Sequence, residues 1–544
     1  MALLHKRFFA VLSVVLIVVA LAVPGLAATT AAPVLAAEQY VRFNAGSEPQ
    51  YMDPSRSTGV PEGHVQLALF EGLTRLDKND QPIPGIAKSW VVSKDGKTIT
   101  FTLRPSKWST GEALTAYDFE YSWKRALSPE LASEYAYQLY YIKNGQAYNE
   151  GKAKAQDVGV KALNATTLRV DLEAPCSYFI SLCSFHTLYP VKKSVVDKYG
   201  DKWANDPKTF VSNGPFRMVA WKHNSYIDVV KNNNYWDAAS VKIQKIRFTL
   251  VPNENTMLTM YDTGVIDQTD TVPISEIDRL RAEGQLKVAP YLGTYYYMFN
   301  VTKPPLDNVK VRKALTLAID REAIVKNITK AGQIPAMAYT PFGIPDVPGA
   351  KGDFRTMGGV AFFKDNDVET AKKLLADAGY PDGKGFPTIE ILYNTSNAHK
   401  AIAEAIQEMW KKNLGINVTL TNQEWGVYLT NRTELKYQVA RAGWIGDYVD
   451  AMTFMDMWVT GGGNNDTGWG NKQYDAYIDQ AKATGDPKIR IKAMHDAEKI
   501  LMDEMPIMPI YFYTRPYLQA DYLKGVTHSA IGLVDFKWAY VLKH

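Results

Sequence analysis

Apolar and polar residues alternate with period two in some stretches of the chain and with helical period in others. In 97–104 (Lys-Thr-Ile-Thr-Phe-Thr-Leu-Arg), Ile99, Phe101 and Leu103 share one side, which predicts a half-buried strand after the Ser93-Lys-Asp-Gly96 turn. Residues 40–46, 166–172, 241–251, 287–301 and 416–420 also read as strand or strand-rich. Residues 65–73 read as a helix or a compact turn. Residues 115–126 read as a helix with Thr115 as N-cap and Asp118 as its N3 partner. Val311, Leu315, Ala318, Ile319 and Ile324 recur on one side of a helix predicted over 311–327. Two more helices, 367–378 and 398–414, stop at Gly379 and Gly415. A helix, a glycine stop and then a strand is the grammar of an α/β fold. The Pro- and Gly-bearing stretch 341–359 reads as an ordered surface excursion, and no internal repeat is visible.

The N-terminus has a different pattern. His5, Lys6 and Arg7 precede an apolar run from Phe8 to Ala22, and small residues follow up to Ala36-Ala37. This is the layout of a cleaved export signal over residues 1–37. The apolar run is shorter than the roughly 20 residues that cross a bilayer. No cysteine stands there to carry a lipid, so an exported, soluble protein is expected.

Composition narrows the function classes. The 544 residues carry 61 basic and 57 acidic side chains; without Lys6 and Arg7 the balance is 59 to 57, which argues against a nucleic-acid footprint. The eight histidines are scattered singly, and no phosphate loop, zinc-protease motif or serine-hydrolase elbow is present. An enzyme, a resident metal and a cofactor are therefore not expected. The two cysteines, Cys176 and Cys183, allow two readings. A helix would hold them about 10 Å apart as free thiols, whereas a loop in an exported protein could join them. Aromatic residues are abundant, with 32 tyrosines and 12 tryptophans.

The densest binding signal is Gln438-Val-Ala-Arg-Ala-Gly-Trp-Ile-Gly-Asp-Tyr-Val-Asp450. Its glycines permit close approach of a ligand. Asp447 could meet an ammonium group, and Arg441 or nearby Arg432 a carboxylate, so a zwitterion would suit the set. The bland alternative is a turn capped by Asp447, with the arginines in water. Tyr291-Leu-Gly-Thr-Tyr-Tyr-Tyr-Met-Phe-Asn300 and Asn422-Gln-Glu-Trp-Gly426 bring aromatics that could line a cleft or fill a core.

The chain also resembles the oligopeptide-binding receptors of ABC peptide importers. The likeness rests on Leu69-Phe-Glu-Gly-Leu73, Phe119-Glu-Tyr-Ser-Trp-Lys-Arg125, Pro290-Tyr-Leu-Gly-Thr-Tyr-Tyr-Tyr297, Asn422-Gln-Glu-Trp425 and Val439-Ala-Arg-Ala-Gly-Trp444, and it extends over essentially all of 40–544. The resemblance implies a two-lobed α/β clamshell of three domains. Domain I would comprise 38–70, 190–292 and 514–544, domain II 71–189, and domain III 293–513. It further implies enclosure of short peptides by main chain and termini, delivery to membrane permease subunits, a monomer, and a periplasmic location. Carried over residue by residue, Asp447 would take the peptide amino group with help from Tyr135. Arg441, Arg432 and His399 would take C-termini of different peptides. Trp425 and Tyr297 would lie at the cleft, and Val60, Gly443 and Trp444 would pair with peptide main chain. A lysine that serves some C-termini in relatives falls here at Thr329, next to Lys330. A disulfide pair falls at Gly293 and Ile445. Two acidic positions fall at Thr58 and Met298, which implies an altered tolerance for basic peptide side chains or for an extended N-terminus. A narrower ligand (a murein peptide, a dipeptide, nickel or haem) is the alternative within the same architecture. A peptidase and a holdase for unfolded chains are the readings outside it.

Overall fold

Three sheets organise the chain in a computed structural model that describes residues 34–544. The export signal expected over 1–37 therefore lies, up to residue 33, outside the described residues. The first sheet runs Tyr40–Asn44, Lys245–Thr249, Tyr226–Lys231, Phe216–Lys222, with the first pair parallel. Val41, Phe43, Ile227, Val229, Ile246 and Phe248 are fully buried in its core.

The second sheet is an antiparallel set in the order Ala87–Val92, Thr98–Leu103, Thr167–Asp171, Val160–Asn164. The period-two pattern is realised there: Ile99, Phe101 and Leu103 are buried and their neighbours are not. Helix Ala116–Ala126 covers this sheet with Phe119, Trp123 and Ala126. The Asp118 carboxylate accepts from the Thr115 amide at 2.7 Å and from its hydroxyl at 3.0 Å, which fixes the helix start.

The third sheet has six strands, in the order Ile334–Pro335, Ile507–Tyr517, Lys287–Phe299, Val439–Ile445, Ile389–Asn394, Val418–Gln423. Its central strand Lys287–Phe299 is covered on both faces, so its sequence does not alternate. Tyr296 and Met298 pack with Tyr339 and Trp458 on one side. Tyr295 and Tyr297 pack on the other against the helices Val309–Leu317 and Asn397–Leu414. The latter helix ends at Gly415, whose φ of 70° suits glycine, and the chain then enters Val418–Gln423 parallel to Ile389–Asn394.

Two expectations are corrected by local competition. The helix expected over 311–327 breaks into Val309–Leu317, Arg321–Ile324 and a π-type turn Val325–Thr329. Asp320 causes the break: its carboxylate accepts from the Ala323 amide at 2.8 Å and starts a new helix where the apolar pattern alone would continue the old one. Between the cysteines only Phe179–Leu182 is helical. Both thiols are nevertheless free, with Cys183 buried. Burial pushes the Cys176 thiol up to about 12, so it is an unreactive thiol rather than a thiolate.

A buried ionic cluster joins the short strand Thr74–Leu76 to the short strand Val534–Asp535 and to the stretch that follows Tyr226–Lys231. Arg75 donates through Nε and Nη2 to Asp535 at 3.1 and 2.6 Å, and through Nη1 to Glu71 at 3.2 Å. Glu71 also accepts from the Trp236 indole at 2.5 Å and from the Tyr235 hydroxyl. These side chains are almost fully buried, apart from half-buried Trp236, so removing one partner strands a charge without water. Arg75→Ala is expected to lower stability by about 3–5 kcal/mol. Urea unfolding followed by tryptophan fluorescence measures this, and a loss under about 1 kcal/mol would show that the cluster does not hold these segments together.

Candidate ligand-binding cleft

The strand Val439–Ile445 is unevenly paired, and the cleft is built along it. One edge pairs with Lys287–Phe299 over all seven residues. The other pairs with Ile389–Asn394 only at Val439 and Ala440. Beyond Ala440 that edge has no neighbouring strand among the described residues, and the Tyr428 hydroxyl donates to the Arg441 carbonyl, so the backbone from Ala442 to Ile445 can receive another extended chain. Gly443 is needed there, because a Cβ would collide with the Tyr513 hydroxyl and crowd the Arg441 guanidinium. The strand's side chains continue into two cavities, one at each end.

The first cavity, about 860 Å³ of atom-free space, lies around Asp447. The carboxylate accepts from the Tyr135 hydroxyl at 3.1 Å and from the Gln138 amide at 2.8 Å, both from the stretch between the second sheet's strands. Thr453 Oγ1 accepts from the Asp447 amide at 2.9 Å and lies 3.4 Å from its carboxylate. These are all neutral partners, and Asp447 makes no ion pair among the described residues although it is only 9% exposed. Burial therefore holds its carboxyl well above the usual carboxylate range, and Asp456 adds repulsion. Val60, in the first turn of Val60–Leu69, lines the same cavity, as do Tyr135, Gly443, Trp444, Trp425 and Arg432. Trp444 is held by its indole, which donates to the Thr453 carbonyl at 2.7 Å. Trp425 opens the helix Trp425–Thr433 and stacks on Tyr428, with its indole N–H buried and unpartnered.

Arg441 marks the second cavity, about 1170 Å³ of atom-free space. Its guanidinium donates to Tyr513 Oη at 2.7 Å and Asn394 Oδ1 at 3.3 Å, and lies 4.7 Å over the Tyr295 ring. Its Nε is buried without a partner, and no carboxylate pairs with it among the described residues. His399 lines this cavity 3.2 Å from the Tyr295 hydroxyl. Burial and the Arg441 charge lower its pKa well below the ordinary histidine range, so it stands neutral.

The ten residues singled out from sequence thus divide. Asp447, Tyr135, Val60, Gly443, Trp444, Trp425 and Arg432 meet at the first cavity, and Arg441 and His399 at the second. Arg432 is already compensated, donating through Nε to Asp466 at 2.6 Å. Tyr297 reaches neither cavity: it is fully buried on the helix-covered face of its strand, one residue out of phase with Tyr296 and Met298. Thr58 and Met298 line the first cavity, so its two lining carboxylates are Asp447 and Asp466. Thr329 lines the second, while Lys330 turns outward onto Asp278 at 2.7 Å. Gly293 and Ile445 face each other across the sheet, and the isoleucine fills the space a Cβ at 293 would take. Gln138 and Thr453 escaped the sequence reading. Gln138 follows Tyr135 by three residues, which puts both on one side only because Ala136–Leu139 is a 3-10 turn.

Comparison with known proteins agrees with this geometry. Residues 81–466 match the family described as bacterial extracellular solute-binding proteins, family 5 Middle. The chain is 43% identical over 511 residues to the oligopeptide-binding protein OppA of Bacillus subtilis, covering 92% of each. It superposes on the Escherichia coli murein tripeptide binding protein MppA with a TM-score of 0.89 at 35% identity, covering 94% of this chain and 100% of that one. Against the structure described as the unliganded open form of MppA the TM-score is 0.62 at 35% identity, with coverage of 94% and 99%, so the arrangement here differs from that open form. The architecture is the multidomain α/β clamshell of those structures, and the chain belongs to the family 5 bacterial extracellular solute-binding proteins.

Proposed function

We propose that this protein is an extracytoplasmic receptor that encloses short peptides and delivers them to the permease subunits of an ABC importer. One observation carries the reading. A buried carboxylate and a buried guanidinium, neither with a counter-ion among the described residues, stand at the two ends of an unpaired strand edge. A free peptide supplies an ammonium, a carboxylate and an extended backbone at matching places. Asp447 lies six positions after Arg441, at most about 20 Å along extended chain, which accommodates an extended ligand of at most about six residues. Side chains would enter a cavity walled by Trp425, Trp444, Met298 and Met457, where recognition depends little on sequence.

The domain partition expected from sequence supports a closing motion. Segments 38–70, 190–292 and 514–544 with 71–189 would form one lobe, and 293–513 the other. Tyr135 and Gln138 then reach Asp447 from across the cleft. No helix among the described residues is long and apolar enough to cross a membrane. The expected leader supports export to the periplasm, where the receptor would act as a monomer.

Asp447 explains why closure waits for ligand. Closing on an empty site desolvates this carboxyl, which costs free energy that a peptide ammonium restores. Asp447→Asn is therefore expected to act in opposite directions. In calorimetry it should weaken trialanine binding by about 2–5 kcal/mol, as for a truncated buried charge pair. In small-angle scattering it should reduce the radius of gyration of the ligand-free protein. Unchanged trialanine affinity would remove the ammonium assignment, and N-acetyl-trialanine should bind the unaltered protein as weakly as trialanine binds the variant.

The same carboxyl gives the pH dependence its sign. Closure raises Asp447 above its exposed value, and burial with Asp466 nearby raises Glu134 to about 7. The closed form thus binds more protons than the open form, so acidification favours it. The ligand-free radius of gyration should fall between pH 7 and pH 5; a flat profile would mean that these carboxyls are equally hydrated in both forms.

A further inference from the structure

The second cavity holds a charge that neither the strand edge nor the Arg441 assignment uses. Glu254 lies in the first turn of the helix Glu254–Asp262, on the first-sheet side of the cleft, and is 6% exposed. Its Oε1 accepts from the Ser396 hydroxyl at 2.7 Å, and Ser396 is the N-cap of Asn397–Leu414 in the opposite body. Its Oε2 is buried and has no partner. Burial raises its pKa, as it does for Asp447.

Charge pairing decides what this cavity can take. Among the charged groups of its wall, Arg515 and Asp270 are paired with each other. Arg441 and Glu254 remain, one cation and one acid, without counter-ions among the described residues. A ligand carboxylate on Arg441 satisfies the first and leaves Glu254 facing the ligand's last side chains. An apolar side chain would leave Oε2 unpaired, whereas an ammonium or guanidinium would satisfy it.

We propose that Glu254 is a specificity-determining residue that favours peptides with a lysine or arginine at or next to the C-terminus. The inference rests on the peptide-receptor reading above and adds a substrate class to it. It also places the preference for basic side chains at the opposite end from the uncharged Thr58 and Met298, which line the first cavity.

Calorimetry with free-ended alanine peptides of three to six residues, ending in lysine or in its uncharged analogue norleucine, tests the proposal. For the length that reaches the cavity, lysine is expected to bind about tenfold more tightly than norleucine. Glu254→Gln retains an acceptor for Ser396 and should abolish that advantage, so that the lysine and norleucine peptides bind the variant within about twofold of each other. Asp447→Asn should weaken both series alike. A lysine advantage that survives in Glu254→Gln, or that is absent at every length in the unaltered protein, overturns the proposal. Binding of none of these peptides by the unaltered protein would overturn the peptide reading, and this inference with it.

Discussion

The cleft depends on buried charges that the protein does not neutralise for itself. Asp447 receives three neutral donors and no cation, while Arg441 receives two neutral acceptors and no anion. An uncompensated charge in a low-dielectric site is costly, and the cost is tolerable only if a ligand often supplies the missing partner. Elsewhere in the same interior, charge is treated differently. Arg355 and Glu498, both fully buried, are paired at 2.5 Å, and Arg75 is shared between Glu71 and Asp535. The contrast separates structural ion pairs from ligand-facing charges without reference to any relative.

The fold places those charges by leaving a strand incomplete. The sheet pairs Val439–Ile445 fully on one side and stops after Ala440 on the other. The same seven residues therefore belong to the core along one edge and leave the other edge largely unpaired. Tyrosine makes the dual use possible, since it packs as an aromatic and bonds through its hydroxyl. Tyr135, Tyr295 and Tyr513 each contribute a ring to packing and a hydroxyl to Asp447, His399 or Arg441. The tyrosine-rich composition has this explanation in part; Tyr297 and Tyr339 are core, while Tyr117 and Tyr199 are exposed.

Much of the local structure was legible from pattern. The half-buried strand Thr98–Leu103, the capped helix Ala116–Ala126 and the glycine-stopped helix Asn397–Leu414 each follow from neighbours within one or two turns. Where pattern misled, a polar side chain supplied a competing local bond, as Asp320 did within the expected 311–327 helix. The assignment of Tyr297 to the cleft had a different source. Three successive tyrosines offer no signal for which face of a doubly covered strand opens on a cavity, and only the register against Val439–Ile445 places Tyr296 and Met298 there.

The sequence by itself determined the element types, the strand-turn segment that carries Arg441 and Asp447, and the family likeness that joins them. These rest on local propensity and on residues close in the chain. Tertiary structure decided which charges are spent and which are free. Arg432 and Arg441 are indistinguishable as letters, but one meets Asp466 and the other meets only Asn394 and tyrosines. Glu254 and Ser396 lie 142 residues apart and meet only in the folded chain. Charge compensation depends on what burial brings within a few ångströms, and that distance is not written along the chain.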